Sequence, residues 1–293
     1  MDQTELAIVR RAYAKQIMAA AQVSDPRIEA ALAEVRREDF LGPGPWPMIR
    51  ILGGYVMTPD ADPVLLYTDQ LVGIAPERRL NNGQPSLHAA LLYAAAIQPG
   101  DHVVHVGTGT GYFTALMAHL AGPTGRVTGV EFDPGIAARA REYLAARTNV
   151  TVLEGNGAAM SFDSANVIYV NAGVTHPSDT WLDSLAEGGR MVLPLTSDLN
   201  FSPDKPGVFD PTKALNSGVY FRIQRHGTDF EARGMTIVGI IPADGARDNE
   251  NEAALARAFA KGGWNRVRHL VRGGEVPEDR CWVRGRGWCL TYD

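Results

Sequence analysis

The residues best able to do chemistry together are a run of glycines, an acid and an asparagine, each placed after an apolar stretch. Gly107-Thr108-Gly109-Thr110-Gly111 follows His102-Val103-Val104-His105-Val106 directly. Glycines there let the main chain turn sharply and let a ligand approach it with no Cβ in the way. A helix starting after them would add unpaired N–H groups and partial positive charge. Glu131 comes 24 residues after Gly107, just past the apolar stretch 126–130. A carboxylate in that place can accept hydrogen bonds from both hydroxyls of a ribose. Gly155-Asn156-Gly157 ends the next stretch, 150–153, where the Asn156 carboxamide oxygen can accept from an adenine amino group. An Asn-Gly turn is the alternative for these residues. The three segments together point to a ligand that contains adenosine. They leave the cofactor open, although a dinucleotide loop of the G-x-G-x-x-G form would need glycine at 112, where this chain has tyrosine.

The elements that must position these residues alternate from about residue 86 onward. The pattern predicts helices over 86–97, 112–121, 134–147 and 177–185, and strands over 102–106, 126–130, 150–153, 167–170 and 190–195. Short apolar strands alternating with helices of this length indicate an α/β fold, Rossmann-like, with a mostly parallel twisted sheet and helices on both faces. Ligands bind such sheets beyond the carboxyl ends of the strands, which places the site in the loops after 106, 130, 153 and 170. Upstream, 4–22 carries Leu6, Val9, Tyr13 and Ile17 on one helical stripe. A second helix should start at Ser24 or Asp25 with Pro26 at its first position and run to about 37. The segment 42–63 is too rich in Gly and Pro for a long regular element. Downstream, 196–217 is a long polar loop, expected as a lid or flexible insertion. Strands over 219–224 and 235–241, a helix over 252–261 and an Arg/Trp-rich tail follow. The expected organisation is one domain over 1–242, with an N-terminal helical region over 1–65, and a C-terminal appendage over 243–293.

Composition narrows the function classes. The 293 residues include 28 Lys plus Arg against 33 Asp plus Glu, a formal charge of −5. That balance argues against a protein built mainly to hold phosphate backbones. The pairs Arg10–Arg11, Arg36–Arg37 and Arg78–Arg79 read as solvated faces. No stretch approaches the roughly 20 apolar residues of a membrane span, and the first residues read as a charged helix rather than a signal peptide. Cys281 and Cys289 are therefore expected as reduced thiols in a cytoplasmic protein. No Cys/His cluster has metal-ligand spacing. His102 and His105 fall three apart on a strand, hence on opposite faces, and read as structural.

The G-x-G-x-G form is common in methyltransferases that use S-adenosylmethionine, and from about residue 5 to 242 the chain resembles one family of them, the protein-L-isoaspartate O-methyltransferases. The resemblance is carried by ordered segments: Asp25-Pro26-Arg27 through Phe40, Tyr67-Thr68-Asp69 through Gln84-Pro85, 104–112, 125–133, 149–157, 188–194, and 230–242. It implies that Gly107, Thr108, Gly109 and Gly111 hold the methionine part of S-adenosylmethionine. Glu131, with Phe132 beside it, would bind the ribose side, and Gly155, Asn156 and Gly157 the adenine side. Asn171 and His88, the latter matching a histidine found near the cofactor in some members, complete the implied set.

Two departures from the family pattern bear on the substrate. The active-site serine of the family's "S-x-P" stretch falls at Gly83, and its Gly-Asp-Gly is Gly155-Asn156-Gly157. Asparagine keeps an acceptor for adenine. The lost hydroxyl affects substrate placement, for which Gly83, Gln84 and Ser86 are the candidate residues. Methyl transfer to a carboxylate needs no general base, because the group is already ionised at pH 7 with a reference pKa near 4. The implied activity is carboxyl methylation of isoaspartyl or aspartyl residues in a protein or peptide, of the repair type. Methylation of another carboxylate, as in a modified peptide, and a non-catalytic cofactor-binding relative are the alternatives.

Overall fold

The computed structural model describes residues 2–50, 54–198 and 218–293. In chain order its elements begin with α1 (Gln3–Ala21), α2 (Pro26–Glu34), β1 (Pro47–Arg50), β2 (Gly54–Met57), β3 (Gly73–Ala75), β4 (Leu80–Asn81) and α3 (Pro85–Ala95). The alternating region follows as β5 (His102–Val106), α4 (Tyr112–Ala121), β6 (Arg126–Glu131), α5 (Pro134–Leu144), β7 (Val150–Glu154), β8 (Ala165–Val170), α6 (Asp179–Ser184) and β9 (Leu185–Thr196). The chain closes with β10 (Gly218–His226), β11 (Asp229–Ile237), α7 (Asn249–Lys261), β12 (His269–Arg272), β13 (Cys281–Gly285) and β14 (Trp288–Thr291). The loop expected over 196–217 lies almost wholly outside the described residues.

Local chemistry accounts for the helix starts. Asp25 caps α2 by accepting from the Arg27 N–H, with Pro26 in the first turn where its missing N–H costs nothing. Asp133 does the same for α5 through the Ile136 N–H, ahead of Pro134. Gly111 precedes α4 at φ +103°, and a Cβ there would meet Leu144 Cδ1 at 2.7 Å. That position therefore requires glycine on both conformational and steric grounds.

The chain divides into two compact units. One comprises Met1–Val103 and Thr108–Gly155; the other comprises Val104–Gly107 and Asn156–Asp293. In the first unit β6 and β7 pair in parallel, Glu131 opposite Glu154, and α1 packs on α2 and α3. In the second unit the strands follow the order β13-β14-β12-β11-β10-β9-β8-β5. The β8–β9 pair is parallel and every pair from β9 to β13 is antiparallel. The architecture is thus α/β with a mixed sheet. The core of the second unit includes the fully buried Trp181, Met191, Leu193, Phe221 and Leu255 together with Trp282, Trp288 and Leu290 from the last strands.

Several expectations are revised. The late strand expected over 235–241 begins at Asp229 instead, because Gly227 at φ +60° makes a tight turn out of β10. Its first residues alternate exposed Asp229 and Arg233 with buried Phe230 and Ala232, the period of a half-buried strand. Residues 243–293, expected as an appendage, supply α7 and three strands to the second unit, with β12 pairing onto β11. Arg37 is not on a solvated face: its side chain is fully buried. Arg10 is mostly buried as well, its Nε donating to the Ala33 carbonyl at 3.3 Å. Cys281 and Cys289 are joined in a disulfide rather than standing as reduced thiols, because β13 and β14 run antiparallel side by side and bring their Cα atoms to 6.5 Å. No helix among the described residues is long and apolar enough to cross a membrane.

Candidate functional site

In the first unit Thr108–Gly111 leads into α4, and two contacts fold it against β6. The Thr108 N–H donates to the Val130 carbonyl at 3.1 Å, and the Thr108 hydroxyl donates to the same oxygen at 3.2 Å. Gly129 on β6 lies under this hydroxyl, 2.7 Å from where its Cβ would be, so the strand must carry glycine there. The Gly109 N–H then donates to Glu131 Oε2 at 2.8 Å, and the Asp133 N–H to Glu131 Oε1 at 3.1 Å. Burial pushes the Glu131 carboxyl above its ordinary value, and the backbone N–H bonds from Asp133 and Gly109 oppose that shift. Glu131 is thus a preoriented acceptor whose carboxylate keeps lone pairs beyond the two already used.

Phe132, the next residue, is half exposed at 49%, an open ring face beside the acid. Gly155, at φ +138°, donates its N–H to the Glu131 carbonyl at 2.9 Å, tying the end of β7 to the end of β6. At Gly109, which has φ +57°, a Cβ would meet only Ile74 Cδ1, at 3.6 Å. The main chain there is open to a close-lying ligand.

In the second unit Gly107 has φ +81°, and a Cβ would lie 2.9 Å from the Asn171 carbonyl oxygen. Asn171 in turn donates its N–H to the Val106 carbonyl at 2.8 Å. Asn156 is engaged at both ends of its carboxamide: Oδ1 accepts from the Ala158 N–H and Nδ2 donates to the Gly245 carbonyl, each at 3.0 Å. The Gly157 carbonyl accepts from the indole N–H of buried Trp181 at 2.8 Å. Asn156 thus makes the turn that its Asn-Gly sequence implies, and Oδ1 keeps a second lone pair.

The substrate-side candidates Gly83, Gln84 and Ser86 belong to the first unit; the Gly83 N–H donates to Asn81 Oδ1 at 3.0 Å, whereas Gln84 and Ser86 meet at one acid that sequence reasoning did not single out. Asp69 accepts from the Ser86 N–H at 2.8 Å, from the Ser86 hydroxyl at 2.6 Å and from Gln84 Nε2 at 3.0 Å. This carboxylate fastens the first turn of α3. Its only sequence signal was membership in the Tyr67-Thr68-Asp69 segment, 17 residues before Ser86.

The segment on either side of Asp69 is held by Arg37. Its guanidinium donates to the carbonyls of Leu66, Thr68 and Gln70 and to Asn82 Oδ1. Asn82 Oδ1 also accepts from the Val72 N–H at 3.0 Å. His88, two residues beyond Ser86, is buried and stacks on Phe113 with ring centroids 3.6 Å apart and planes inclined by 18°. Gly83 sits against this imidazole at φ +77°. Among the described residues no group of His, Cys, Asp and Glu is arranged to hold a metal ion.

A glycine loop hydrogen-bonded to a half-buried acid at the end of the next parallel strand defines an α/β protein of the Rossmann-like, nucleoside-binding class. A solved structure of a protein-L-isoaspartate O-methyltransferase shares this fold, with a TM-score of 0.63 at 22% identity, over 90% of this chain and 74% of that one. A family profile described as Protein-L-isoaspartate(D-aspartate) O-methyltransferase (PCMT) matches residues 57–202. The protein-L-isoaspartate O-methyltransferase of Koribacter versatilis is 36% identical over 179 residues, which is 60% of this chain and 71% of that relative. The protein of the same name from Ignicoccus hospitalis is 40% identical over 121 residues, 39% of this chain; the match spans 56% of that relative's length. The chain belongs to the protein-L-isoaspartate O-methyltransferase family.

Proposed function

We propose that the protein transfers a methyl group from S-adenosylmethionine to the free carboxylate of an isoaspartyl or aspartyl residue in a protein or peptide. The observation that carries the cofactor reading is Glu131 held by the Gly109 and Asp133 N–H groups, an acceptor suited to a ribose diol beside Gly109, which leaves the main chain open. When bound, the cofactor supplies an electrophilic methyl group on a sulfonium. The chain's own part is then alignment and exclusion of water, because an ionised carboxylate needs no base to attack. Glu131 orients the ribose, and Gly109 lets the ligand approach the main chain. Phe132 offers a ring face next to the acid. Asp69 fixes Gln84 and Ser86, so the first turn of α3 is a rigid wall on the substrate side.

The product of methylation at an isoaspartyl carboxylate is an ester with a good leaving group, from which succinimide closure follows. That sequence is the chemistry of peptide repair. Incubation with radiolabelled S-adenosylmethionine and an isoaspartyl peptide should give a base-labile methyl ester. Absence of the ester under conditions where S-adenosylhomocysteine binds would reject the reading in favour of a cofactor-binding relative without this activity. Methylation of only a differently modified peptide would move the substrate and leave the cofactor site standing.

A further inference from the structure

The segments that resemble the family end at residue 242. In the second unit residues 241–248 form a strap beside the exit of β8. The Gly173 N–H donates to the Ile241 carbonyl and the Ala243 N–H to the Gly173 carbonyl, each at 2.8 Å. The Asp248 N–H donates to the Thr175 hydroxyl at 3.0 Å. Arg247 draws the same stretch together from the side, its Nη1 donating to the Gly173 carbonyl at 2.9 Å and to the Thr196 hydroxyl at 2.7 Å. Glu252 anchors that guanidinium at 2.8 Å.

The middle of the strap is fastened at one further point, the Asn156-Gly157 turn. Asn156 Nδ2 donates to the Gly245 carbonyl at 3.0 Å, while Oδ1 accepts from the Ala158 N–H. Other bonds fix the turn from its far side. The Trp181 indole N–H donates to the Gly157 carbonyl, and the Ser178 and Thr180 hydroxyls donate to the Ala158 carbonyl. Gly245 is fitted to the contact: its φ of +76° favours glycine, and a Cβ would lie 2.6 Å from Asn156 Nδ2.

The residue type at 156 decides whether this clasp can form. The family carries aspartate here, and an ionised carboxylate only accepts. It could still accept from the Ala158 N–H, but its second oxygen would face the Gly245 carbonyl with no hydrogen between them. Asparagine supplies the donor. The resemblance assigns the same turn to the adenine side of the cofactor.

We infer that the strap 241–248 forms a wall of the cofactor site on the adenine side, and that Asn156 is asparagine because its Nδ2–H fastens the strap there. This rests on the S-adenosylmethionine reading above and is independent of the methyl acceptor. A cofactor seated against the turn also bears on the strap, so binding and strap closure favour each other reciprocally. Asn156 is then a positioning residue.

The test is calorimetric titration with S-adenosylhomocysteine of the wild type, Asn156→Asp, Gly245→Ala and Asn156→Asp/Gly245→Ala, with hydrogen exchange over 241–248 followed by mass spectrometry. Asn156→Asp restores the family residue, so an adenine acceptor acting alone predicts unchanged or tighter binding. The clasp predicts the opposite, a loss of about tenfold where a hydrogen bond gives way to two facing acceptors. Gly245→Ala should cause a similar loss. The double variant should lose about as much as one single variant, because both changes break the same contact. In the wild type S-adenosylhomocysteine should slow exchange over 241–248 at least about fivefold, and in Asn156→Asp that protection should shrink.

Asn156→Asp binding at wild-type affinity or tighter would overturn the inference, as would a wild-type strap whose exchange ignores the ligand. The exchange measurement needs no variant, so it decides even where a variant fails to fold. A wild type that does not bind S-adenosylhomocysteine would reject the cofactor reading, and the inference with it. A wild type that binds it, protects the strap and methylates no peptide would reject the reading of the methyl acceptor and support the strap.

Discussion

The buried guanidinium of Arg37 donates to the side-chain oxygen of Asn82 at 3.2 Å, linking the segment that follows α2 to the residue just before Gly83. The same guanidinium holds the Leu66, Thr68 and Gln70 carbonyls, so one cation orders both strands of chain that lead to Asp69 and Gly83. Its removal leaves four acceptors without this donor, each costing about 1–3 kcal/mol when buried and unsatisfied. Arg37→Met should therefore destabilise the protein by at least about 3 kcal/mol, measured by urea unfolding. A loss below about 1 kcal/mol would show that the loop does not depend on Arg37.

Asp69 makes a separable contribution, because it acts on the first turn of α3 and not on the cofactor loop. Asp69→Ala should reduce kcat/KM for an isoaspartyl peptide about tenfold or more, since small misplacements of a positioning group are costly. S-adenosylhomocysteine affinity should stay within about twofold, as expected for a site not in contact. Equal losses in both readouts would place Asp69 in the general scaffold.

Glu131 sets a pH dependence whose sign follows from its environment. Burial raises its carboxyl above the ordinary glutamate value, and under the proposed function the ribose hydroxyls donate to its ionised form. Affinity for S-adenosylhomocysteine should be full at neutral pH and fall on acidification, beginning above the range of an exposed glutamate. For stability the raised carboxyl works the other way: the folded chain binds this proton more tightly than the unfolded chain, so its contribution declines as pH rises through the shifted value. Glu131→Gln should weaken binding by about tenfold to a hundredfold, the loss of a charge-assisted pair of bonds, and flatten the acid limb in calorimetric titrations. An unchanged acid limb in the variant would assign it to another group.

The Cys281–Cys289 disulfide closes a loop with a sequence separation of 8. Chain entropy for a loop of that size corresponds to about 2.5 kcal/mol. Cys281→Ser/Cys289→Ser, or reduction of the wild type, should lower unfolding stability by roughly that amount. Two thiols titrating in the native, unreduced protein would contradict the pairing.

Much of the first unit was legible because its signals are local. The caps Asp25 and Asp133, the prolines after them and the apolar strands 102–106 and 126–130 all have short-range causes, and α2, α5, β5 and β6 start as they imply. The glycine loop and Glu131 were legible for the same reason. What escaped depends on distant partners. Arg37 looks like any arginine in a charged run until residues 66–70 close over it. Asp69 acquires meaning only when α3 lies beside it. The strands β12–β14 are short and interrupted by arginines and glycines, so their alternation shows only once β11 offers an edge. The contact of the His88 ring with Gly83 depends on the direction of the ring, which spacing does not give.

The central claim is methyl transfer to a peptide carboxylate from S-adenosylmethionine held at Glu131. Its most direct test is mass spectrometry of matched isoaspartyl and aspartyl peptides after incubation with the wild-type protein and S-adenosylmethionine. The account predicts that the isoaspartyl peptide gains the mass of one methyl group, that alkali removes it, and that Glu131→Gln slows the gain. A protein that binds S-adenosylhomocysteine yet leaves both peptides at their starting mass would contradict it.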